Sequence, residues 1–184
     1  GVSGFDTGDI DDVNNGHKLP FATVLTCGTG SFAQENTCLS EKFLRAGSSS
    51  NPRGAIAAVS TATGNTHTMF NNIIAMGIYD GLFPKNLGTA GAALANGKLT
   101  LFSAYPTNQY NWVDAFTQWN SLMGDPATHL WTDTPIVLSV IHPLALPYGT
   151  NFVDIAVHDE DENPVEDAMI TLLMGDDIIF TSGY

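Results

Sequence analysis

Two short apolar runs constrain this chain more than any other feature. "LPFATVLTC" (residues 19–27) and "GAIAAVSTA" (residues 54–62) carry no charge and are rich in β-branched residues. A strand covered on both faces reads as such an uninterrupted run, and double coverage is typical of parallel sheets flanked by helices. Between the two, "ENTCLSEKFLRAG" repeats Cys38, Leu39, Phe43 and Leu44 at helical spacing and stops at Gly47, a suitable left-handed C′ residue. Strand, helix, strand is the unit from which a parallel sheet is wound. Downstream, "TMFNNIIAMGIYDGLF" aligns Phe70, Ile73, Ile74 and Ile78 along a helix, and "LGTAGAALANGKLT" reads as a small-residue helix capped by Thr89. "YNWVDAFTQWNSLMGD" reads as a further helix with Trp112, Phe116, Trp119 and Leu122 on one core-facing stripe. At the start, "DTGDIDDVNNG" predicts a short helix around residues 10–13, capped by Asp or Thr, and then a turn at residues 14–16. The class is α/β, with a mainly parallel sheet flanked by helices.

The texture changes after "GDPATHLWTDTP". "IVLSVIHP", "FVDIAVHD", "AMITLLMGD" and "DIIFT" are short strand-like runs separated by Pro, Gly and acidic turns. Val153, Ile155 and Val157 alternate as in a half-buried strand. These features divide the chain into residues 1–133 and a partial all-β, immunoglobulin-like sandwich over 134–184. That second stretch is shorter than the roughly 100 residues such a sandwich takes, so it is expected to be truncated. "GVSGFDTG" also reads like the interior of a protein, so a piece of a longer chain is expected.

Charge narrows the function. The net charge is −13, with six Lys plus Arg and none beyond Lys98. Such a chain repels phosphate backbones and anionic lipid, which argues against nucleic-acid and membrane-surface binding. No run is long and apolar enough for a membrane span. The acidic stretches "HDEDENPVEDA" and "DTGDIDD" read first as solvated turns, with structural Ca²⁺ as the alternative. There is no GK[ST], HExxH or Cys/His zinc spacing, so no cofactor is required. Two cysteines, Cys27 and Cys38, are too few for a disulfide framework.

The chemistry gathers at "KLPFATVLTCGTGSF", where the apolar run climbs to Cys27 and breaks into Gly-Thr-Gly. Three readings compete. Gly28, Gly30 and Ala33 match the G-x-G-x-x-A dinucleotide loop, but the next strand lacks the carboxylate that would hold a ribose. Alternatively, Cys27 is a nucleophile at the C-terminal edge of a parallel strand, with nearby backbone amides for an oxyanion and a histidine to raise its thiolate fraction. The third reading is a core cysteine, a common fate for this residue type.

The stretches "NNGHKLPFATVLTCGTGSF", "CLSEKFLRAG", "GAIAAVSTATGNTHTMFNNIIAMGIYDGLF" and "LMGDPATHLW" resemble, in order, the second half of the catalytic domain of gingipain-type cysteine peptidases (peptidase family C25, caspase-like fold). The resemblance covers most of residues 1–132. It implies that Cys27 is the nucleophile and Cys38 structural. It implies an oxyanion hole from Gly28 and Gly1, and a substrate-pocket loop at Thr63, Asn65 and His67. The family also uses a His-Gly pair some thirty residues before its cysteine. None of His17, His67, His129, His142 or His158 precedes a glycine, so Gly1 is read as that glycine, with the histidine upstream. His17 reads as a surface turn residue. Further implications are a peptide or protein substrate, the upstream half of the precursor as a partner, an immunoglobulin-like domain after the catalytic one, secretion or display on a bacterial surface, and maturation from a zymogen. The rival from another class is a non-catalytic surface or adhesive protein on a peptidase-like scaffold.

Overall fold

The computed structural model describes residues 4–34, 36–174 and 177–183, with side chains as far as Leu172. Two compact units emerge, Gly1–Thr132 and Asp133–Tyr184.

The first unit opens with α1 (Thr7–Asp12). It begins earlier than the sequence pattern suggests because Asp6 caps it: the Asp6 carboxylate accepts the Gly8 N–H, and the Asp9 carboxylate accepts the Asp6 N–H. β1 (Phe21–Val24), α2 (Leu39–Arg45), a small ribbon of β2 (Gly47–Ser48) and β3 (Asn51–Pro52), and β4 (Ala57–Thr61) follow. Then come α3 (Thr68–Leu82), α4 (Ala90–Ala104), α5 (Trp112–Trp119) and β5 (Asn120–Met123). The main sheet has the order β1-β4-β5. β1 runs parallel to β4, with Phe21 beside Ala57 and Val24 beside Ser60, as the strand-helix-strand pattern requires. β5 runs antiparallel to β4, so the sheet is mixed.

β5 corrects the long-helix reading of "YNWVDAFTQWNSLMGD". The helix stops at Trp119 because Asn120 is worth more to the fold outside it. Its buried amide donates to the Phe116 carbonyl at 2.8 Å and its Oδ1 accepts the Thr61 hydroxyl at 2.9 Å, docking the chain onto β4. Leu122, the last residue of the supposed stripe, pairs with Val59 instead. Phe116 is core, whereas Trp112 is 44% exposed and does not belong to the core as expected.

Every residue of β4 is buried. Val59 packs in one cluster with Ile74, Ile78, Leu101, Val113 and Phe116 from the three long helices. α3 and α4 approach closely because Gly77 faces Gly97: a Cβ on Gly77 would lie 2.7 Å from the Gly97 Cα. The "GDPATHL" segment closes the unit by capping α4. The N–H groups of Ala90 and Gly91 donate to the carbonyls of Thr128 and Pro126, and the Thr89 hydroxyl accepts the Ala92 N–H.

The second unit contains two antiparallel ribbons among its described residues. β6 (Ser139–Ile141) pairs with β7 (Ala156–His158), and β8 (Met169–Met174) with β9 (Asp177–Gly183). Val153, Ile155 and Val157 are half-buried while Asp154 and Ala156 are exposed, the alternation their spacing predicts. The acidic turn closes on itself, since the Asp159 carboxylate accepts the N–H groups of Asp161 and Asn163.

Candidate active site

The chain leaves β1 at Val24 and reaches Cys27 through Leu25 and Thr26. Each step is tied down. The Leu25 carbonyl accepts from the Asn71 amide at 3.1 Å, and the Thr29 hydroxyl donates back to the Val24 and Thr26 carbonyls. The Gly28 N–H donates to the Thr63 carbonyl at 2.7 Å and the Gly30 N–H to the Thr61 carbonyl at 3.0 Å, so the loop continues alongside β4. The Thr29 carbonyl accepts both the Ser40 N–H and its hydroxyl, joining the loop to the first turn of α2.

These bonds explain the glycines without a nucleotide. Gly28 has φ of +73°, a left-handed conformation that favours glycine. A Cβ on Gly30 would fall 2.9 Å from the Ser60 Cβ, too close for any side chain. The dinucleotide reading is therefore corrected. The two glycine amides that would face a pyrophosphate are spent on Thr61 and Thr63, and the loop reaches Leu39 before a helix begins.

The core-cysteine alternative is also excluded: Cys27 is exposed, while Cys38 is the buried thiol. Cys38 sits at the N-cap of α2, its N–H donating to the Glu41 carboxylate, and both cysteines are free. The Cys27 sulfur lies 2.8 Å from the Thr66 hydroxyl. That hydroxyl, then the Thr66 backbone N–H, hold the thiol below its ordinary value of 9.0, against a smaller opposing effect of burial; the N–H of Cys27 itself also acts on the sulfur. The donors sit on the loop after β4 because the parallel pairing brings the C-terminal ends of both strands to one edge of the sheet.

The other predicted residues divide. Thr63 accepts from Gly28 through its carbonyl, so it builds the cysteine loop. The amide of Gly28, the expected oxyanion donor, is directed at the Thr63 carbonyl in this arrangement. Asn65 is exposed beside Thr66. His67 caps α3, its Nδ1 accepting the Met69 N–H at 3.1 Å, and its ring meets Phe70 edge-on. Gly1 lies outside the described residues. Among the described residues no histidine hydrogen-bonds to Cys27; His17 is exposed in the turn before β1, as expected.

One depression adjoins the sulfur, and a second opens beside Thr66. The first, of about 250 Å³, is lined by Cys27, Gly28, Ser31 and Cys38 with Phe5 and Asp6. The other, of about 610 Å³, begins at Asn65, Thr66 and His67 and runs over aromatic side chains of α3, α5 and the loop before α5. Thr66 escaped the sequence reading, which named its neighbours on both sides. Asn71 also escaped it, although a polar residue in register with Ile74 and Ile78 on an apolar helix face was a usable signal. Among the described residues, no group of three or more His, Cys, Asp or Glu is arranged to hold a metal ion. No described helix is long and apolar enough to cross a membrane.

Comparison with known proteins places this geometry. The sequence profile of peptidase family C25 matches residues 2–131. Gingipain R2 of Porphyromonas gingivalis is 23% identical over 164 residues, which is 85% of this chain and 21% of the relative. Gingipain R1 of the same organism is 24% identical over 166 residues, 86% of this chain and 15% of the relative. This chain thus spans about a fifth or less of the curated relatives it matches. Among solved structures, the Arg-specific cysteine proteinase gingipain R superposes with a TM-score of 0.78 at 22% identity, over 100% of this chain and 41% of that one. A complex of the pro- and mature domains of the Porphyromonas gingivalis protein RgpB follows with a TM-score of 0.77 at 20% identity, covering 97% of this chain and 40% of that one. The mixed α/β architecture is accordingly the caspase-like fold of those proteins.

Proposed function

The chain belongs to peptidase family C25, and from that premise we propose that it carries the nucleophile of a cysteine endopeptidase at Cys27. The observation that supports this reading is the sulfur's position: exposed at the sheet edge, with the Thr66 hydroxyl and N–H directed at it so that the thiolate is favoured. Cys38, by contrast, is buried.

In this reading the Cys27 thiolate attacks the scissile carbonyl carbon, forming a C–S bond and a tetrahedral oxyanion. Collapse expels the amine, which takes a proton from a histidine, and water then hydrolyses the thioester to release the acid and restore the thiol. The histidine belongs to a His-Gly pair delivered from ahead of Gly1. Backbone amides at Cys27 and Gly28, together with the Gly1 N–H, are assigned the oxyanion role, which asks the Gly28 amide to turn from Thr63 when substrate binds. Thr63, Asn65 and His67 fall into separate duties: Thr63 holds the cysteine loop, while Asn65 and His67 border the groove that receives substrate. We also read the protein as secreted or surface-displayed and matured from a zymogen. Its partners are then its own upstream half and a peptide substrate. Residues 134–184 begin an immunoglobulin-like domain, and calcium, if bound, is structural.

A thiol-reactive peptidyl probe applied to the whole parent protein tests the reading. Labelling at Cys27 that disappears in Cys27→Ala is the expected result. The rival scaffold reading draws on the lack of a histidine bonded to Cys27 in the described chain. It predicts that a small alkylating agent labels Cys27 while no peptidyl probe does so any faster.

A further inference from the structure

Two stretches meet at the sulfur: residues 25–28, just after β1, and residues 63–71, which follow β4 and enter α3. Two hydrogen bonds tie them together. The Asn71 amide donates to the Leu25 carbonyl at 3.1 Å, and the Gly28 N–H donates to the Thr63 carbonyl at 2.7 Å. Cys27 lies between Leu25 and Gly28, and Thr66 lies between Thr63 and Asn71. Their contact, sulfur to Oγ1 at 2.8 Å, is therefore braced on both sides.

Asn71 occupies a place where an apolar side chain would pack. It is buried on α3, in register with the core residues Ile74 and Ile78, whereas its neighbour Asn72 is exposed. An amide in a dry interior costs free energy unless its polar atoms are bonded. Here both ends are used: Nδ2 on Leu25, and Oδ1 accepting the Asn120 amide at 3.3 Å. Asn120 is fixed in turn to Thr61 and Phe116. The Asn71 N–H donates to the His67 carbonyl at 3.3 Å, so the same residue also fixes the first turn of α3, directly after Thr66.

The two braces differ in what turnover asks of them. The oxyanion assignment requires the Gly28 amide to leave Thr63, so that brace opens while the thiolate is in use. We infer that Asn71 is a positioning residue for the nucleophile: through the Leu25 carbonyl it holds the Cys27 sulfur on the Thr66 hydroxyl while the Gly28 amide turns to the oxyanion. This rests on the proposal that Cys27 is the nucleophile. An amide suits the task, because one end donates to Leu25 while the other is anchored by Asn120, which fixes its orientation. It also carries no charge that would act on the thiol directly. Asp6 and Cys38 share the depression beside Cys27, and His67 follows Thr66. None of these titratable groups hydrogen-bonds to the sulfur, so the loss of Asn71 reaches the thiol through Thr66.

The test measures Cys27 alkylation by iodoacetamide against pH in the whole parent protein and in its Asn71→Ala variant. Leu101→Ala is the control, since it costs stability in the core without touching the bonded chain. Asn71→Ser is a milder second variant, because its hydroxyl can bond the His67 carbonyl one turn back. Both Asn71 variants should move the alkylation midpoint upward, towards the ordinary thiol value, and Leu101→Ala should leave it in place. At a pH above every midpoint, labelling by a peptidyl acyloxymethyl ketone should fall about tenfold in Asn71→Ala, a scale set by small misplacement of a reacting atom. An unmoved midpoint in the Asn71 variants, or an equal move in Leu101→Ala, overturns the inference and leaves the peptidase reading intact. Peptidyl labelling at the parent's rate overturns the catalytic role of the brace. If no peptidyl probe outruns iodoacetamide on the parent itself, the peptidase reading falls and the inference with it.

Discussion

Asn120 is the residue whose loss the structure prices most directly. It is 0% exposed and makes three side-chain hydrogen bonds: from the Thr61 hydroxyl at 2.9 Å, to the Phe116 carbonyl at 2.8 Å, and to the Asn71 Oδ1 at 3.3 Å. Asn71, 2% exposed, passes the chain of bonds on to the Leu25 carbonyl, two residues before the sulfur. Asn120→Ala removes all three bonds and leaves Thr61 and Asn71 without those partners in a dry interior. At about 1 kcal/mol net per bond, and somewhat more for the polar atoms left unsatisfied, the expected loss is about 3–4 kcal/mol. For a unit of this size that corresponds to a fall in Tm of roughly 10 °C. Urea titration followed by tryptophan fluorescence reads it, because Trp112, Trp119 and Trp131 all lie in the first unit. A double-mutant cycle with Thr61→Val should show coupling of about 1 kcal/mol, since one bond is shared. A loss below about 1 kcal/mol with an unchanged m-value, or zero coupling, would refute the account of Asn120 as the joint between β4, α3 and β5.

Thr66→Val should raise the Cys27 pKa towards its ordinary value, shifting the pH profile of iodoacetamide alkylation upward; an unmoved profile would show that the Thr66 hydroxyl does not set the acidity. Because folding lowers this pKa, the unfolded chain binds more protons between the two values. The linked stabilisation is therefore complete above the unfolded thiol's pKa and is lost as pH falls through the folded one; Thr66→Val should flatten that dependence in stability measured against pH. Gly30→Ala must push the loop off Ser60, costing about 1–3 kcal/mol and altering Cys27 alkylation at once, whereas Gly64→Ala, with open space around it, should do neither. His67→Ala should cost about 1 kcal/mol through the lost α3 cap and His67→Asn much less, by thermal melting.

What could be read in advance follows from the range of the forces involved. The two apolar strands, their parallel order, α2 with its Gly47 end, and the Thr89 cap all appear where the pattern puts them, although only β4 is buried along its whole length and β1 is half-buried. β5 did not, because Trp119 and Leu122 fit a helical stripe equally well, and the bond that breaks it comes from Thr61, far along the chain. Cys27 was legible as a strand-end thiol. Thr66 was not, because its role depends on two loops meeting at one sheet edge, and a threonine in "GNTHT" has no spacing that announces it. The engagement of the Gly28 amide was not legible for the same reason, since the carbonyl that accepts it comes from the adjoining loop.

The paired attachments of Gly28 to Thr63 and Gly30 to Thr61 carry one more consequence. Sulfur and proton donors ride on a single ledge, so a sway of that ledge displaces them in common and leaves their spacing unchanged. The acidity of the thiol then becomes a local property, retained whether or not any other segment is docked.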